Sequence, residues 1–406
     1  MNVLVIGQGG REHALVDKVS QSKIVNKIYA LPGNVGMKDI ATLVDINSED
    51  NDKIVKFSQD NQIDLVIVGP EKELNNGLAD ALNKANIKVF GPTKQAATIE
   101  ASKNYAKELM KKYNIPTAKY EYFTDVDKAK DYLSKQDLPI VIKYDGLMAG
   151  KGVYIVDNLN EGLSILEDLL KSDSDSVVIE EFITGDEFTL LCFVKGDKVY
   201  PLPTARDFKR INDNDQGLNT GGMGAISPYH NVTQDKLDLA IKVMNDTAQA
   251  LVKENNPFSG LLYGGFMMND KGVYVIEFNA RFGDPETEAI LNLIDNDLVE
   301  QMINLFEDKP VTFNIKDKTG VGLVLSAPGY PLDYEKGIDL TDYLNLPFKI
   351  YHMGTKEQDG KIVSNGGRVL FIYNEGNTAK DAFNDIYKEL DKINGPLHYR
   401  RDLINY

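Results

Sequence analysis

The chain has 406 residues, 42% hydrophobic and 26% charged, with 45 Lys and Arg against 61 Asp and Glu for a formal charge of −16. That length suits roughly two to three domains, each able to bury its own core. The composition excludes a collagen-like or wholly disordered chain, and the acidic balance argues against nucleic acid or an acidic membrane as partner. A single cysteine, Cys192, can form no intrachain disulfide, and the four histidines show no zinc-ligand spacing. The N-terminus has no basic stretch, and no apolar run approaches the roughly 18 residues needed to span a bilayer, so a cytoplasmic location without membrane insertion is expected.

Residues 3 to 6 form a short apolar run closed by Gly7, and similar runs return at 63 to 68 and 87 to 90. These read as buried parallel strands, with helix-period segments between them at 11 to 20 and 74 to 85, so residues 1 to about 92 form an open β-α sheet. Ligands of such sheets sit outside the carboxyl ends of the strands. Here those ends are Gly7-Gln8-Gly9-Gly10, Pro32-Gly33-Asn34 and Gly69-Pro70-Glu71. A dinucleotide fingerprint fails, because Glu12 stands where the third glycine belongs and no acid ends the second strand at Tyr29-Ala30-Leu31-Pro32. The amides of Gly9 and Gly10 at a helix N-terminus instead suit a monophosphate or other small anion, the alternative being a plain strand-helix turn.

Thr93 is placed to cap a helix running through Lys103 to Tyr113, which Asn114-Ile115-Pro116 stops. A strand near 119 to 123, a helix near 125 to 135 and a strand at 139 to 144 lead into Asp145-Gly146-Leu147-Met148-Ala149-Gly150-Lys151-Gly152, and a strand follows at 153 to 156. A Walker A loop needs one more residue before Gly-Lys, then Ser or Thr and a helix. This segment is therefore a glycine-rich β-hairpin, a flap whose amides close over phosphates while Lys143 and Lys151 add charge. Residues 177 to 183 make an apolar strand whose polar end can offer backbone groups to a purine, with Glu187 positioned for ribose hydroxyls. An ordinary strand with solvated acids is the competing reading. Further on, Glu277 and Asn279 lie two apart on a strand and share a face, continued by Val275 and Arg281, while Ile276 and Phe278 face a core. Two hard oxygen ligands leave room for the water and nucleotide phosphates that complete a magnesium octahedron.

Several stretches in order resemble one family. They are Gly-Gln-Gly-Gly-Arg-Glu-His-Ala at 7 to 14, Pro-Gly-Asn at 32 to 34, Val-Gly-Pro-Glu at 68 to 71 and the flap motif at 145 to 152. Asn-Thr-Gly-Gly-Met-Gly-Ala at 219 to 225, Val-Ile-Glu-Phe-Asn-Ala-Arg-Phe-Gly-Asp-Pro-Glu at 275 to 286 and Ser-Asn-Gly-Gly-Arg-Val-Leu at 364 to 370 complete the set. Together they resemble the phosphoribosylamine–glycine ligases (glycinamide ribonucleotide synthetases) of the ATP-grasp superfamily. Other carboxylate–amine ligases and biotin carboxylase-like enzymes share the flap and the metal strand, whereas the loops at 10 to 13 and 219 to 224 set them apart.

The resemblance implies an α/β chain with an N-terminal open parallel-sheet domain over 1–102, an ATP-grasp region over 103–315 with its flap near 118–187, and a small C-terminal α/β domain over 316–406. It implies ATP-dependent joining of glycine to 5-phosphoribosylamine through a glycyl phosphate, with magnesium or manganese and no nucleic-acid or membrane partner. By matching positions, nucleotide binding is expected at Lys103, Lys143, Gly146, Gly150, Lys151, Gly152, Glu180, Glu181, Phe182, Ile183 and Glu187, and the metal at Glu277 and Asn279. Arg281, Lys209 and Asp207 are the expected catalytic residues. Substrate is expected at Gly9, Gly10, Gly33, Asn34, Pro70, Glu71, Asn219, Thr220, Gly221, Gly222, Asp284 and Pro285. The chain departs from the family pattern at Arg206, Phe208, Leu218, Tyr144 and Met148, none of them an expected phosphate or metal group.

Overall fold

A computed structural model describes residues 1–147, 152–172 and 174–406. The N-terminal strands Asn2–Gly7, Lys27–Pro32, Thr42–Leu43, Leu65–Val68 and Lys88–Phe90 form one parallel sheet with the first strand at its centre. Val3 to Ile6 are fully buried, because helices cover both faces of the sheet. The strand order reverses beside Asn2–Gly7, so the carboxyl ends at Gly7, Pro32 and Val68 open onto one crevice.

Two expected helices are each broken in two. Residues 74 to 85 fall into Glu71–Asn75 and Leu78–Lys84, because Gly77 takes a left-handed φ of +81° between them. The segment after Thr93 divides into Lys94–Ala101 and Lys103–Lys112. Thr93 does cap the first, accepting from the Ala96 amide at 3.2 Å, but extended Ser102 ends it and caps the second through the Tyr105 amide at 3.1 Å.

The flap is a separate antiparallel sheet in the order Tyr120–Phe123, Val177–Glu181, Ile140–Tyr144, Val153–Val156. Lys143 pairs with Val153, and the Tyr144 amide donates to the Gly152 carbonyl at 2.9 Å, which continues the ladder between these two strands. Helices Val126–Leu133 and Leu159–Leu169 close one face around a small core of Ala129, Leu133, Ile142, Leu166 and Ile179.

The third sheet has eight strands in the order Gly272–Asn279, Ser259–Asn269, Asp186–Lys195, Lys198–Asp207, Gly224–Ser227, Thr319–Ser326, Arg368–Gly376, Lys349–His352. Three C-terminal strands, Thr319–Ser326, Arg368–Gly376 and Lys349–His352, thus extend the central sheet, while Thr355–Gln358 and Lys361–Ser364 pair as a separate two-stranded ribbon. Packing also joins the N-terminal unit to the centre: the Phe90 ring lies 4.6 Å from that of Phe193 and 5.8 Å from that of Phe282.

Candidate functional site

A cleft of about 330 Å³ runs between the flap sheet and the central sheet. Its walls are apolar where Val141, Ile155, Ile183, Phe182, Met267 and Ile276 meet, and Glu180 through Ile183 together with Glu187 all border it. Glu187 is already engaged: its carboxylate accepts a short hydrogen bond from the Lys209 ammonium. Burial opposes the charge on Lys209, but Glu187 and its acidic neighbours hold it well above its ordinary value.

At the inner end of the cleft lies a cavity bordered by Lys103, Lys143, Gly146, Gly152, Glu277, Asn279 and Arg281. Asp145 of the flap accepts from the amides of Lys103 and Asn104 at 2.6 and 3.3 Å, and the Lys103 ammonium donates to the Gly146 carbonyl at 3.0 Å. A flap carboxylate therefore sits on the N-terminus of Lys103–Lys112, where the helix dipole favours negative charge. Burial lowers Lys103 from its usual value despite nearby Glu277. Gly150 and Lys151, expected at the tip, lie outside the described residues.

The strand Gly272–Asn279 is not regular, and this corrects the expected side-chain alternation. Gly265 pairs with Glu277 but Phe266 pairs with Val275, leaving Ile276 as a bulge. Val275 and Phe278 consequently share the same core, and Ile276 borders the cleft instead of facing the interior. The bulge has a use: the Ile276 carbonyl accepts from the Lys143 ammonium at 2.9 Å. Lys143 also lies 3.1 Å from Glu180, whose same oxygen is 2.9 Å from Lys107. Burial draws Lys107 down to about 8 against the pull of Glu180.

Glu277 and Asn279 do converge, with the Asn279 side-chain amide 3.4 Å from the Glu277 carboxylate. Burial alone would raise Glu277, yet Lys209, Lys143, Lys103 and Arg281 hold it below its ordinary range. Among the described residues no three His, Cys, Asp or Glu side chains gather as a metal cage. One ionised carboxylate and one amide oxygen fit a cation whose remaining ligands are water and phosphate.

A third cavity borders the second and is lined by Arg11, Glu71, Asp207, Lys209, Thr220, Gly221, Glu277, Asn279, Arg281, Asp284 and Arg368. Arg281 is braced by Glu100 at 3.2 Å and Glu71 at 3.4 Å. Arg368 reaches in from the C-terminal strands, donating to the Gly221 carbonyl at 2.6 Å and pairing with Asp284 at 2.8 Å. Asn219 borders the nucleotide cleft, whereas Gly9, Gly10, Gly33, Asn34, Pro70, Gly222 and Pro285 border none of these three cavities.

The amide cradle expected at Gly9 and Gly10 needs correction. The Gly9 amide donates to Glu12 at 2.7 Å, and buried Gly10 packs so closely on Glu288 and Met353 that a Cβ there would lie 2.5 and 2.9 Å from them. Asn34 is a brace, its side-chain amide bonding the carbonyls of Gln8 and His352 at 2.8 Å each. Arg11 supplies the cationic group on that side, held by Glu12 at 2.5 Å and by the Phe282 carbonyl at 2.9 Å. Arg11 and Arg368 stand in the motifs at 7 to 14 and 364 to 370, but no local pattern told that they meet one cavity. Glu100 and Lys107 had no sequence signal beyond a place on a helix. Phe208 turns away from the cavities into the C-terminal core, its ring 5.2 Å from the Arg206 guanidinium and 5.3 Å from that of Arg400.

Comparison with known proteins accounts for nearly the whole chain. The phosphoribosylglycinamide synthetase family models match with their N domain at residues 1–100, their ATP-grasp (A) domain at 101–287 and their C domain at 320–405. A phosphoribosylamine–glycine ligase of Halalkalibacterium halodurans is 44% identical over 412 residues, covering 99% of this chain and 96% of the relative. The crystal structure of the enzyme of that name from Thermotoga maritima superposes with a TM-score of 0.85 at 33% identity, covering 99% of this chain and all of the other. The biotin carboxylase domain of the Hydrogenobacter thermophilus 2-oxoglutarate carboxylase shares the fold alone, with a TM-score of 0.70 at 16% identity over 98% of this chain and 90% of that domain.

Proposed function

The chain belongs to the phosphoribosylglycinamide synthetase family, and from that premise we propose that it joins glycine to 5-phosphoribosylamine with cleavage of ATP, giving glycinamide ribonucleotide, ADP and phosphate in purine biosynthesis. One observation carries this reading: Glu277 borders all three cavities, so the nucleotide cleft, the phosphate corner and the acceptor pocket meet at a single carboxylate. ATP entering the first can thus deliver its terminal phosphoryl group to a carboxylate lying in the third.

A glycine carboxylate is a poor electrophile, so its phosphorylation to glycyl phosphate precedes attack by the amine. The residues act mainly by positioning and charge neutralisation. The apolar walls and the backbone of Glu181 to Ile183 receive the adenine, and Lys103 and Lys143 face the phosphates. Glu277 and Asn279 would hold a divalent cation, magnesium or manganese, which when bound neutralises phosphate charge. Arg281, its orientation fixed by Glu71 and Glu100, receives the glycyl carboxylate. Arg11 and Arg368 are the groups best suited to the 5-phosphate of the amine, since each projects a braced guanidinium into the acceptor pocket. Among the described residues no helix is long and apolar enough to cross a membrane, consistent with a cytosolic enzyme using these small molecules.

The test is ADP release with glycine plus phosphoribosylamine generated in place from ribose 5-phosphate and ammonia, with magnesium and manganese compared. Turnover should require the amine, glycine and a divalent cation together. Equal ADP release without glycine would sink the proposal.

A further inference from the structure

Resting on that reaction, ligation has a second requirement that phosphoryl transfer does not: the attacking amine must lose a proton as the C–N bond forms. Five carboxylates border the acceptor cavity, namely Glu71, Asp207, Glu277, Asp284 and Glu286. Four are engaged. Glu71 lies against Arg281 and Asp284 against Arg368, Glu277 faces the phosphate corner, and Glu286 accepts from the Thr189 hydroxyl at 3.2 Å. The Asp207 Oδ1 oxygen is buried and has no hydrogen-bond partner among the described residues.

The backbone has been shaped around that oxygen. Asp207 ends the strand Lys198–Asp207, paired with Ala225, and the loop between doubles back so that Gly222 lies over the carboxylate. Gly222 has a φ of +112°, and a Cβ there would lie 2.5 Å from Asp207 Oδ1 and 2.4 Å from Pro285. Asp207 borders both the nucleotide cleft and the acceptor cavity, so it stands where the acyl phosphate and the amine meet.

We infer that Asp207 is the general base of the ligation step. The amine nitrogen attacks the carbonyl carbon of glycyl phosphate, the C–N bond forms, and the C–O bond to the phosphate breaks with its electron pair leaving on the phosphate. The proton lost from nitrogen passes to the Asp207 carboxylate. Its surroundings suit the task. Burial and the neighbouring charge of Glu286 raise the Asp207 carboxyl well above its usual range, reinforced by Glu187 and opposed by Lys209 and Arg368. A base so tuned holds a proton more readily than an ordinary aspartate.

Hydroxylamine separates the two halves of the reaction. It can trap glycyl phosphate as the hydroxamate, and its protonated adduct is acidic enough to release the proton to water. Full-length wild type and Asp207→Asn are assayed with glycine, magnesium-ATP and either phosphoribosylamine or hydroxylamine. The variant should lose about 10²- to 10⁴-fold in turnover with phosphoribosylamine while hydroxamate formation stays within about threefold. Asp207→Glu should recover part of the ligation rate, and the acid limb of the wild-type pH profile should be absent in Asp207→Asn. Equal losses with both nucleophiles, or no loss with either, would overturn the role of Asp207 alone. Absence of glycine-dependent ADP release in wild type would overturn the reaction reading and this role with it.

Discussion

The flap and the N-terminal sheet both supply walls to the site, yet they are attached to the molecule in opposite ways. The flap keeps its own small core, with Ile140, Ile142, Val156, Val177 and Ile179 facing its two helices. Its ties at the site are polar: Lys143 to the Ile276 carbonyl, Asp145 to the Lys103 amide, and Glu180 to Lys107. The N-terminal sheet instead merges with the centre, since Val3, Val5, Ile67 and Phe90 belong to the same buried cluster as Phe193, Tyr263 and Phe282. Apolar interlock resists sliding because every displaced side chain leaves a void. A handful of polar contacts around a ligand cavity can exchange partners when phosphates arrive. One wall is held by apolar interlock and the other by polar contacts.

The sharpest way to break this contrast is Phe90→Ala. Removing a ring that contacts Phe193 and Phe282 should cost about 3 to 5 kcal/mol, and one cooperative thermal transition should move as a whole. A transition confined to residues 1 to 92 would show that the shared core does not couple the two units.

Glu277→Gln tests the meeting point of the walls. It keeps the shape but removes the charge that faces Lys143 from the flap, so kcat for ADP release should fall about 10²- to 10³-fold, roughly 3 to 4 kcal/mol. Unchanged turnover at saturating magnesium would remove Glu277 from the metal site.

Hydrogen exchange separates the walls directly. With magnesium-ATP at about 100 times its Kd, exchange governed by openings that release the nucleotide should be disfavoured by about 2.7 kcal/mol. The protection is expected at Ile140–Tyr144 and Val153–Val156, with Leu65–Val68 unaffected. Asp145→Ala should raise exchange at the flap base without nucleotide, costing about 1 kcal/mol of helix capping. Uniform protection across both sheets would contradict a separately closing flap.

A last effect concerns pH at the seam between N-terminal and C-terminal elements. The His352 amide donates to the His13 ring at 2.9 Å, and burial lowers His13 to about 3, helped by His352 and Lys349, and His352 to about 4. Both are therefore neutral in the fold and protonate more readily once unfolded. Their contribution is complete above the unfolded pKa of about 6.5 and is lost as pH falls from there toward 4 and 3, about 1.4 kcal/mol for each at pH 5.5. The melting temperature should drop from pH 7 to 5, and replacing both histidines with Gln should flatten that slope.

Much of the architecture was legible along the chain because apolar runs and glycine or proline stops are local signals. The strand at 3 to 6, the flap hairpin and the pairing of Glu277 with Asn279 needed only periodicity and spacing. Gly77 was visible as a glycine, but whether it would sit inside a helix or break one depended on packing against neighbours. Ser102 likewise caps a helix N-terminus that it shares with Asp145, 43 residues away, whose carboxylate accepts from the Ser102 hydroxyl at 3.4 Å.

Composition and motif order by themselves determined the α/β class, the order of the functional segments and the residue types available for phosphate and metal. Tertiary structure alone decided which of those groups remain available. Pairing register placed the bulge at Ile276 and turned that side chain to the cleft. The fold bonded the Gly9 amide to Glu12, brought Arg11 and Arg368 to one cavity, and left the Asp207 Oδ1 oxygen without a hydrogen-bond partner among the described residues. Periodicity fixes which face a residue occupies, whereas hydrogen-bond satisfaction and ion pairing depend on atoms brought from hundreds of residues away.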